Sequence, residues 1–484
     1  MKRSTVYWII ALFLLPVLLA FSRTPVAWLD ETMNLDPAVQ WHLYGAYVSK
    51  IWPNQGTERV FLAYLPLVEV FHLANLAWLP KTLAAIRLPF LLCFIAGLFT
   101  WVRLLESWKL KSGWLLLLVG LLACDRAVFE ILRSGRSETL ELAILAGTLC
   151  ALFKNRMPLS ALLAGLLWIA HPKLWALTGI LSLFVLWKSE GLIRKLLAVV
   201  LIAAPAFLWM AWLGFPFEEL RAQLLGQSAG HGADGNIVNR IWQHVWHRFL
   251  PYYAGQPWVP LLHLLTWWPA WKLMRKYGWN LKALPGLLWM GQDLFWMFIL
   301  APHYRYLPPH QLLMYTVWAI WIAEKDWALP YRMRLAMFAV VPLLLFPWAS
   351  RLAYAFLQWE ARDPQAVINW LNRSLPVNGK TLLIGHSIGH YHLWQRQDTL
   401  LDFALEIYPQ KFSFNNYDQV YYLGAELPRA LSYIKPVATY TLQPPLLPVS
   451  LDNRSATYRG LQLYLLPDLK SMEALVGVYR KPYP

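Results

Sequence analysis

The chain has 484 residues, of which 58% are hydrophobic and only 14% charged, with a formal net charge of +16. A soluble domain carries about 25% charged residues, so this balance excludes an ordinary soluble enzyme and points to a protein immersed in lipid. A basic excess also suits nucleic acid, but here it is distributed as topogenic charge, and no nucleic-acid partner is expected.

The first element is Val6–Phe21, preceded by Lys2 and Arg3. It ends in LLAFSR, without the small residues of a cleavage site, and reads as a retained first helix. Further apolar runs follow at about 84–104, 113–125, 137–153, 157–170, 173–188, 194–213, 257–271, 283–301, 305–323 and 333–350. Val6–Phe21 and Ile193–Leu213 are long enough to cross a bilayer core of about 30 Å. Basic clusters punctuate the runs: Lys2/Arg3, Lys109/Lys111, Lys154/Arg156, Lys188/Arg194/Lys195, Lys272/Arg275/Lys276/Lys282 and Lys325/Arg332/Arg334. With all of them on the cytoplasmic side, the runs pair out and back. The expectation is eleven spans, a cytoplasmic N-terminus and a C-terminal domain outside. The stretch 60–80 is apolar but holds Glu69, His72 and two prolines, and reads as a helix along the outer face. Cys93, Cys124 and Cys150 have neither metal-ligand nor disulfide spacing and read as packing residues.

After Arg351 the composition becomes ordinary. Thr381–Gly385, Gln419–Gly424 and Gly460–Leu466 look like strands, and Pro364–Leu375 like a helix. The fold class is a polytopic α-helical membrane protein with a small C-terminal α/β domain. Residues 1–350 are the transmembrane domain, with outer loops 23–82 and 214–256, and 351–484 the α/β domain.

Unusual polar residues gather at the outer ends of the runs. Asp30 and Glu31 sit in AWLDETMNLD, and Arg133, Arg136 and Glu138 in ILRSGRSETLE. His171 and Lys173 sit in WIAHPKLW, His231 and Asp234 in QSAGHGADGN, and His303, Tyr304 and Arg305 in APHYRYLPP. Taken singly, each has a plain reading: a solvated helix end, a structural ion pair, a snorkelling lysine, a mobile glycine loop. Asp36 reads as a helix cap before Pro37. Together they form the pattern of a site assembled from several loops, since ionisable groups at membrane depth are costly and functional by default. A carboxylate suits a general base on a hydroxyl. Arg133, Arg136, Lys173 and Arg305 suit a phosphate. With a membrane around them, these groups suggest glycosyl transfer from a lipid-phosphate sugar, the cations stabilising the departing phosphate.

The WLDET string after a first helix, the long outer loop and the R-x-E motif of Arg136 and Glu138 resemble the C-type membrane glycosyltransferases (the GT-C fold). The likeness covers roughly residues 1–350 and is nearest to the branch of protein O-mannosyltransferases and the lipid A aminoarabinose transferase. HYRYLPP is similar to an Arg-containing aromatic turn of that family. The resemblance implies a polyprenyl-phosphate sugar donor, inversion at the anomeric carbon, Asp30 as the base and Glu31 as its neighbour. The residues' own chemistry, not the resemblance, puts Arg133, Arg136, Lys173 and Arg305 at the donor phosphate, and Glu138, His171, His231, His303 and Tyr304 about the substrate. The acceptor is a lipid, protein or glycan. No cofactor is required, although Asp30, Glu31 and Asp36 leave room for a divalent metal. The expected location is a bacterial inner membrane.

One motif points elsewhere. Gly385, Ser387 and Gly389 in LLIGHSIGHY match G-x-S-x-G, the turn that carries a hydrolase nucleophile. That chemistry needs a later histidine in the chain, and none follows His392. The glycines read instead as a tight strand-to-helix turn, and His386, His390 and His392 lack a carboxylate at ligand spacing. Two rival functions remain, a transporter or flippase of lipid-linked sugars and a noncatalytic membrane scaffold. The first favours mid-span charges and repeats, which the sequence lacks.

Overall fold

In a computed structural model, the chain is described except for residues 1–2, 24–26, 28, 50–59, 63–64, 132–133, 231–241, 243–244, 246–248, 299–306, 328–348, 351, 354, 377–378, 380, 387, 394–398, 402–416, 428, 441–457, 459, 469–470 and 472–484. It forms two compact units. The first comprises Met1–Leu18, Leu62–Val68 and Phe90–Ala349, and the second Leu19–Phe61, Glu69–Pro89 and Ser350–Pro484.

The helices are α1 (Arg3–Ala20), α2 (Leu29–Tyr44), α3 (Leu67–Trp78), α4 (Leu83–Ser107), α5 (Ser112–Cys124), α6 (Arg126–Ile131), α7 (Ser137–Phe153), α8 (Met157–Trp168), α9 (Trp175–Lys188), α10 (Leu192–Trp212) and α11 (Phe217–Gly230). After a single turn at Leu250–Tyr252 come α12 (Trp258–Tyr277), α13 (Leu284–Phe298) and α14 (Pro308–Glu324). Helices therefore occupy the expected runs as far as 305–323, and the last run, 333–350, lies mostly outside the described residues. Among the described residues, α4 and α10 are long and apolar enough by themselves to cross a membrane. Others are short. α8 has 12 residues, about 18 Å at the rise of a helix, less than the bilayer core.

Within the first unit, α8 packs on α7, α9 and α10, and α12, α13 and α14 pack on one another. Small residues permit the closest approaches, as in membrane bundles. A Cβ on Gly165 would stand 2.6 Å from the Ile202 carbonyl oxygen of α10, and one on Gly97 2.7 Å from the Ala143 Cα of α7. α10 turns apolar side chains outward: Ile193 is 83% exposed, Leu208 65% and Val200 60%. Left in water, that surface would cost about 25 cal/mol per Å², whereas lipid accepts it.

In the second unit, α2 and α3 belong with the C-terminal domain. That domain contains α15 (Pro364–Ser374), β1 (Thr381–Gly385), α16 (Ile388–Leu393), β2 (Thr399–Leu401), β3 (Gln419–Gly424), β4 (Ala438–Thr439) and β5 (Gln462–Leu465). The sheet order is β2-β1-β3-β5-β4, with β1 parallel to β2 and β3, and β5 antiparallel to β3 and β4. Leu382, Ile384, Val420, Tyr422 and Tyr464 form its core. Asp363 caps α15 by accepting from the Gln365 amide at 3.0 Å.

The G-x-S-x-G stretch is the turn from β1 into α16. Gly385 has φ +115°, and a Cβ there would meet the Leu423 carbonyl oxygen of β3 at 2.2 Å. Only glycine fits this approach. The structural need accounts for the motif without a nucleophile.

Candidate functional site

In the second unit, α2 buries Glu31 and Asp36. Asp30 and Glu31 lie in its first turn. Glu31 is fully buried and accepts two hydrogen bonds from Arg87, Nε at 2.8 Å and Nη2 at 2.7 Å. The guanidinium fork matches the carboxylate edge, which makes this a strong form of ion pair. Arg87 Nη1 also donates to the Phe21 carbonyl at 3.1 Å. Sequence reading missed Arg87, which lies within the apolar run 84–104, 56 residues further along the chain.

One and a half turns after Glu31, Asp36 is buried inside α2. Its expected role as a cap is thereby corrected, because the helix starts at Leu29 and continues through Pro37, leaving the carboxylate for tertiary contacts. Asp36 Oδ2 accepts from Ser49 Oγ at 2.6 Å, and Oδ1 accepts from Gln40 Nε2 at 3.0 Å. His390, on α16 just after the glycine turn, places Nε2 3.2 Å from Asp36 Oδ1. Burial pushes the Asp36 carboxyl up. The hydrogen bond and charge of His390, with the Ser49 and Gln40 bonds, outweigh it and hold the group below its ordinary value. His386 instead bonds locally: Nδ1 accepts from the Ile388 amide at 3.2 Å.

Glu69 and His72, in α3, are also fully buried. Neither Glu69 oxygen has a hydrogen-bond partner among the described residues. Burial therefore pushes its carboxyl well above the ordinary range.

In the first unit, α7 begins with Arg136 as N-cap and carries Glu138 in its first turn. Arg136 Nε donates to Glu138 Oε2 at 2.9 Å, Nη2 donates to Oε1, and both side chains are buried. Glu141 follows one turn later, buried, with Glu138, Arg136 and Lys173 as its charged neighbours. Lys173 is 4% exposed, an unusual state for a lysine. It stands in a 3-10 turn, Pro172–Leu174, which His171 caps by accepting the Lys173 amide on Nδ1 at 3.1 Å. Gln292 of α13 grips that turn, donating to the Lys173 carbonyl at 2.6 Å and accepting from the Leu177 amide at 3.0 Å.

A second buried network in this unit went unnoticed in the sequence. Asp125, between α5 and α6, accepts from the Ala127 amide at 2.9 Å and from the Tyr253 hydroxyl at 3.1 Å. Gln256 ties the same corner by accepting from the Arg126 amide at 2.9 Å and donating to the Cys124 carbonyl at 2.6 Å. Asp125 is signalled in the sequence only as an acidic residue, next to Arg126, at the end of an apolar run. Among the described residues, one cluster has metal-ligand composition: His263, Asp293 and His310.

Thus Arg136, Glu138 and Lys173 come together around Glu141, with His171 shaping the turn that holds Lys173. Arg133, His231, Asp234, His303, Tyr304 and Arg305 lie outside the described residues.

No protein-family model matches the chain. No curated protein matches it. Among solved structures it is similar to ArnT from Cupriavidus metallidurans in the apo state and to the same protein bound to undecaprenyl phosphate. Each match covers 100% of both chains at 13% identity, with a TM-score of 0.57. A likeness at this identity establishes the fold. ArnT is a lipid A aminoarabinose transferase with the C-type glycosyltransferase fold, so the resemblance read from the sequence holds at the level of fold, and that fold is a membrane protein's.

Proposed function

We propose that the chain is a membrane glycosyltransferase that moves a sugar from a polyprenyl-phosphate donor to an acceptor hydroxyl, with inversion at the anomeric carbon. The observation that carries the proposal is the whole-length fold likeness to a protein solved with undecaprenyl phosphate bound. Buried charge on short turns supports it, because such charge is expensive to keep and ordinary stability does not require it.

In the proposed reaction, the acceptor oxygen attacks the anomeric carbon from the face opposite the phosphate. The bond from that carbon to the phosphate oxygen breaks, and the electron pair leaves with the polyprenyl phosphate. The acceptor proton passes to a carboxylate. Of the two carboxylates at the head of α2, Glu31 is already held by Arg87. This favours Asp30 as the base and gives Glu31 a positioning role, fixing the first turn of α2.

At the phosphate, Glu138 occupies Arg136 Nε and Nη2. Arg136 and Lys173 are both proposed at the phosphate, in a low-dielectric setting where a cation stabilises a growing anion strongly. Arg133 and Arg305 are proposed at the same phosphate, and His231, His303 and Tyr304 about the sugar or acceptor. The active site faces the outer side of a membrane, proposed as a bacterial inner membrane with the C-terminal domain outside. The proposed boundary between the transmembrane and α/β domains is near residue 350, and eleven crossings remain the proposed topology.

The test is incubation of the purified chain with a panel of polyprenyl-phosphate sugars carrying labelled hexoses or pentoses. Release of polyprenyl phosphate together with transfer of label to lipid, peptide or glycan acceptors is expected. A panel in which no donor is bound or consumed overturns the proposal.

A further inference from the structure

We propose that His263, Asp293 and His310 form a divalent-cation site within the helices, with zinc as the ion its donors suit best. The three residues come from successive helices: His263 from α12, Asp293 from α13 and His310 from α14. They lie away from the helix ends that carry Arg275, Lys276, Lys282 and Glu324. Their ligand atoms all lie within 4.8 Å of one another.

His263 Nε2 and Asp293 Oδ1 are 3.0 Å apart. Two ligand atoms on one tetrahedral zinc, each about 2.0–2.2 Å from the metal, stand roughly 3.3 Å apart. A cation can therefore replace the proton this pair shares with a shift of a few tenths of an ångström.

His310 is fully buried, and its Nε2 lies 3.1 Å from the Trp289 carbonyl oxygen. A carbonyl only accepts, so Nε2 carries the proton and the lone pair of the neutral ring sits on Nδ1. That Nδ1 is buried and has no hydrogen-bond partner among the described residues. A metal-binding histidine usually donates its other ring N–H to a carbonyl or carboxylate, which fixes its tautomer and direction. Here the fixing bond exists, and Nδ1 is the nitrogen left to act as a ligand. Trp289 stacks on the same ring at 5.1 Å with planes 16° apart, and Trp296 lies at 4.8 Å. The imidazole is thus locked.

Two imidazoles and one carboxylate form a borderline donor set that selects zinc over magnesium or calcium, which prefer all-oxygen sites. Three protein ligands leave a fourth position open. The His263 side chain keeps 14% of its surface exposed, so the cluster is not fully enclosed on that side. The competing account is a hydrogen-bonded His–Asp–His triad with no metal.

The full chain in detergent, stripped with chelator, is titrated with Zn²⁺ against a chromophoric competitor. The expected result is one Zn²⁺ per chain. Asp293→Asn, His263→Gln and His310→Gln should each weaken it by about tenfold or more, while His386→Gln leaves it unchanged. Monodispersity and melting temperature report whether each variant folds. The wild type loaded with Co²⁺ supplies a second readout that needs no variant: four-coordinate visible bands, and X-ray absorption with imidazole scattering from two histidines. No Zn²⁺ uptake by the stripped wild type, uptake unaltered in all three folded variants, or a Co²⁺ spectrum without imidazole overturns the proposal in favour of the metal-free triad.

Discussion

Asp36 and His390, 354 residues apart in the chain, meet in a buried contact of 3.2 Å between Asp36 Oδ1 and His390 Nε2. It fastens α16 of the C-terminal sheet to α2, the helix whose first turn holds Asp30. Burial raises the Asp36 carboxyl, but His390, together with the Ser49 and Gln40 bonds, outweighs it and holds the group below its ordinary value. A depressed carboxylate contributes stability that is fully present above its unfolded value, about 3.9, and is lost as pH falls through the folded one. His390→Ala should therefore lower stability by about 1–3 kcal/mol at neutral pH. The difference from wild type should shrink as pH falls below 4. Melting followed by tryptophan fluorescence between pH 7 and pH 3 checks this, and a difference that grows on acidification would refute it.

Glu31 and Arg87 are both fully buried. Removing one partner strands the other's charge, at a cost of about 3–5 kcal/mol. Arg87→Met should accordingly destabilise far more than Arg87→Met combined with Glu31→Leu, which removes both charges. Melting temperatures of the two variants decide between a buried pair and two independent residues.

Glu69 provides the opposite sign. Its carboxyl is raised by burial, without a hydrogen-bond partner among the described residues. A raised acid favours the fold at low pH, and that contribution is lost as pH rises from the unfolded value through the folded one. Glu69→Gln should raise the melting temperature at pH 7, and the gain should fade toward pH 4. A variant less stable than wild type at pH 7 would mean that the carboxylate has a charged or metal partner.

Gly165 sets the approach of α8 to α10. Gly165→Ala forces a Cβ to within 2.6 Å of a backbone oxygen, and overpacking of this kind costs about 1–3 kcal/mol. Gly120, whose Cβ position has nothing within 4 Å, is the matched control. Gly120→Ala should be neutral or slightly stabilising, and equal effects at the two sites would refute the packing.

Local features were legible in the sequence because their causes are local. Thr381–Gly385 and Gln419–Gly424 are strands where apolar runs end in glycine, and α7 spans 137–153 as its apolar run does. α2 was not legible as one helix, because Pro37 interrupts a weakly apolar segment that tertiary contacts stabilise. The site divides in the same way. Glu31, Arg136, Glu138 and Lys173 were visible as charges beside apolar runs. Their partners were not, because Arg87 and His390 reach them only through the fold. His263, Asp293 and His310 each resemble an isolated polar residue in an apolar helix until three helices are packed together.

The central claim is transfer of sugar from a polyprenyl phosphate with Asp30 as base. The most direct test is initial transfer rate from a consumed donor, for wild type, Asp30→Asn and Glu31→Gln, with melting temperature recorded for each. The account predicts that Asp30→Asn remains folded and loses about 10²–10⁴-fold in rate, the usual contribution of a general base. Glu31→Gln should lose stability as well as rate. An Asp30→Asn variant that transfers sugar at the wild-type rate would contradict the account.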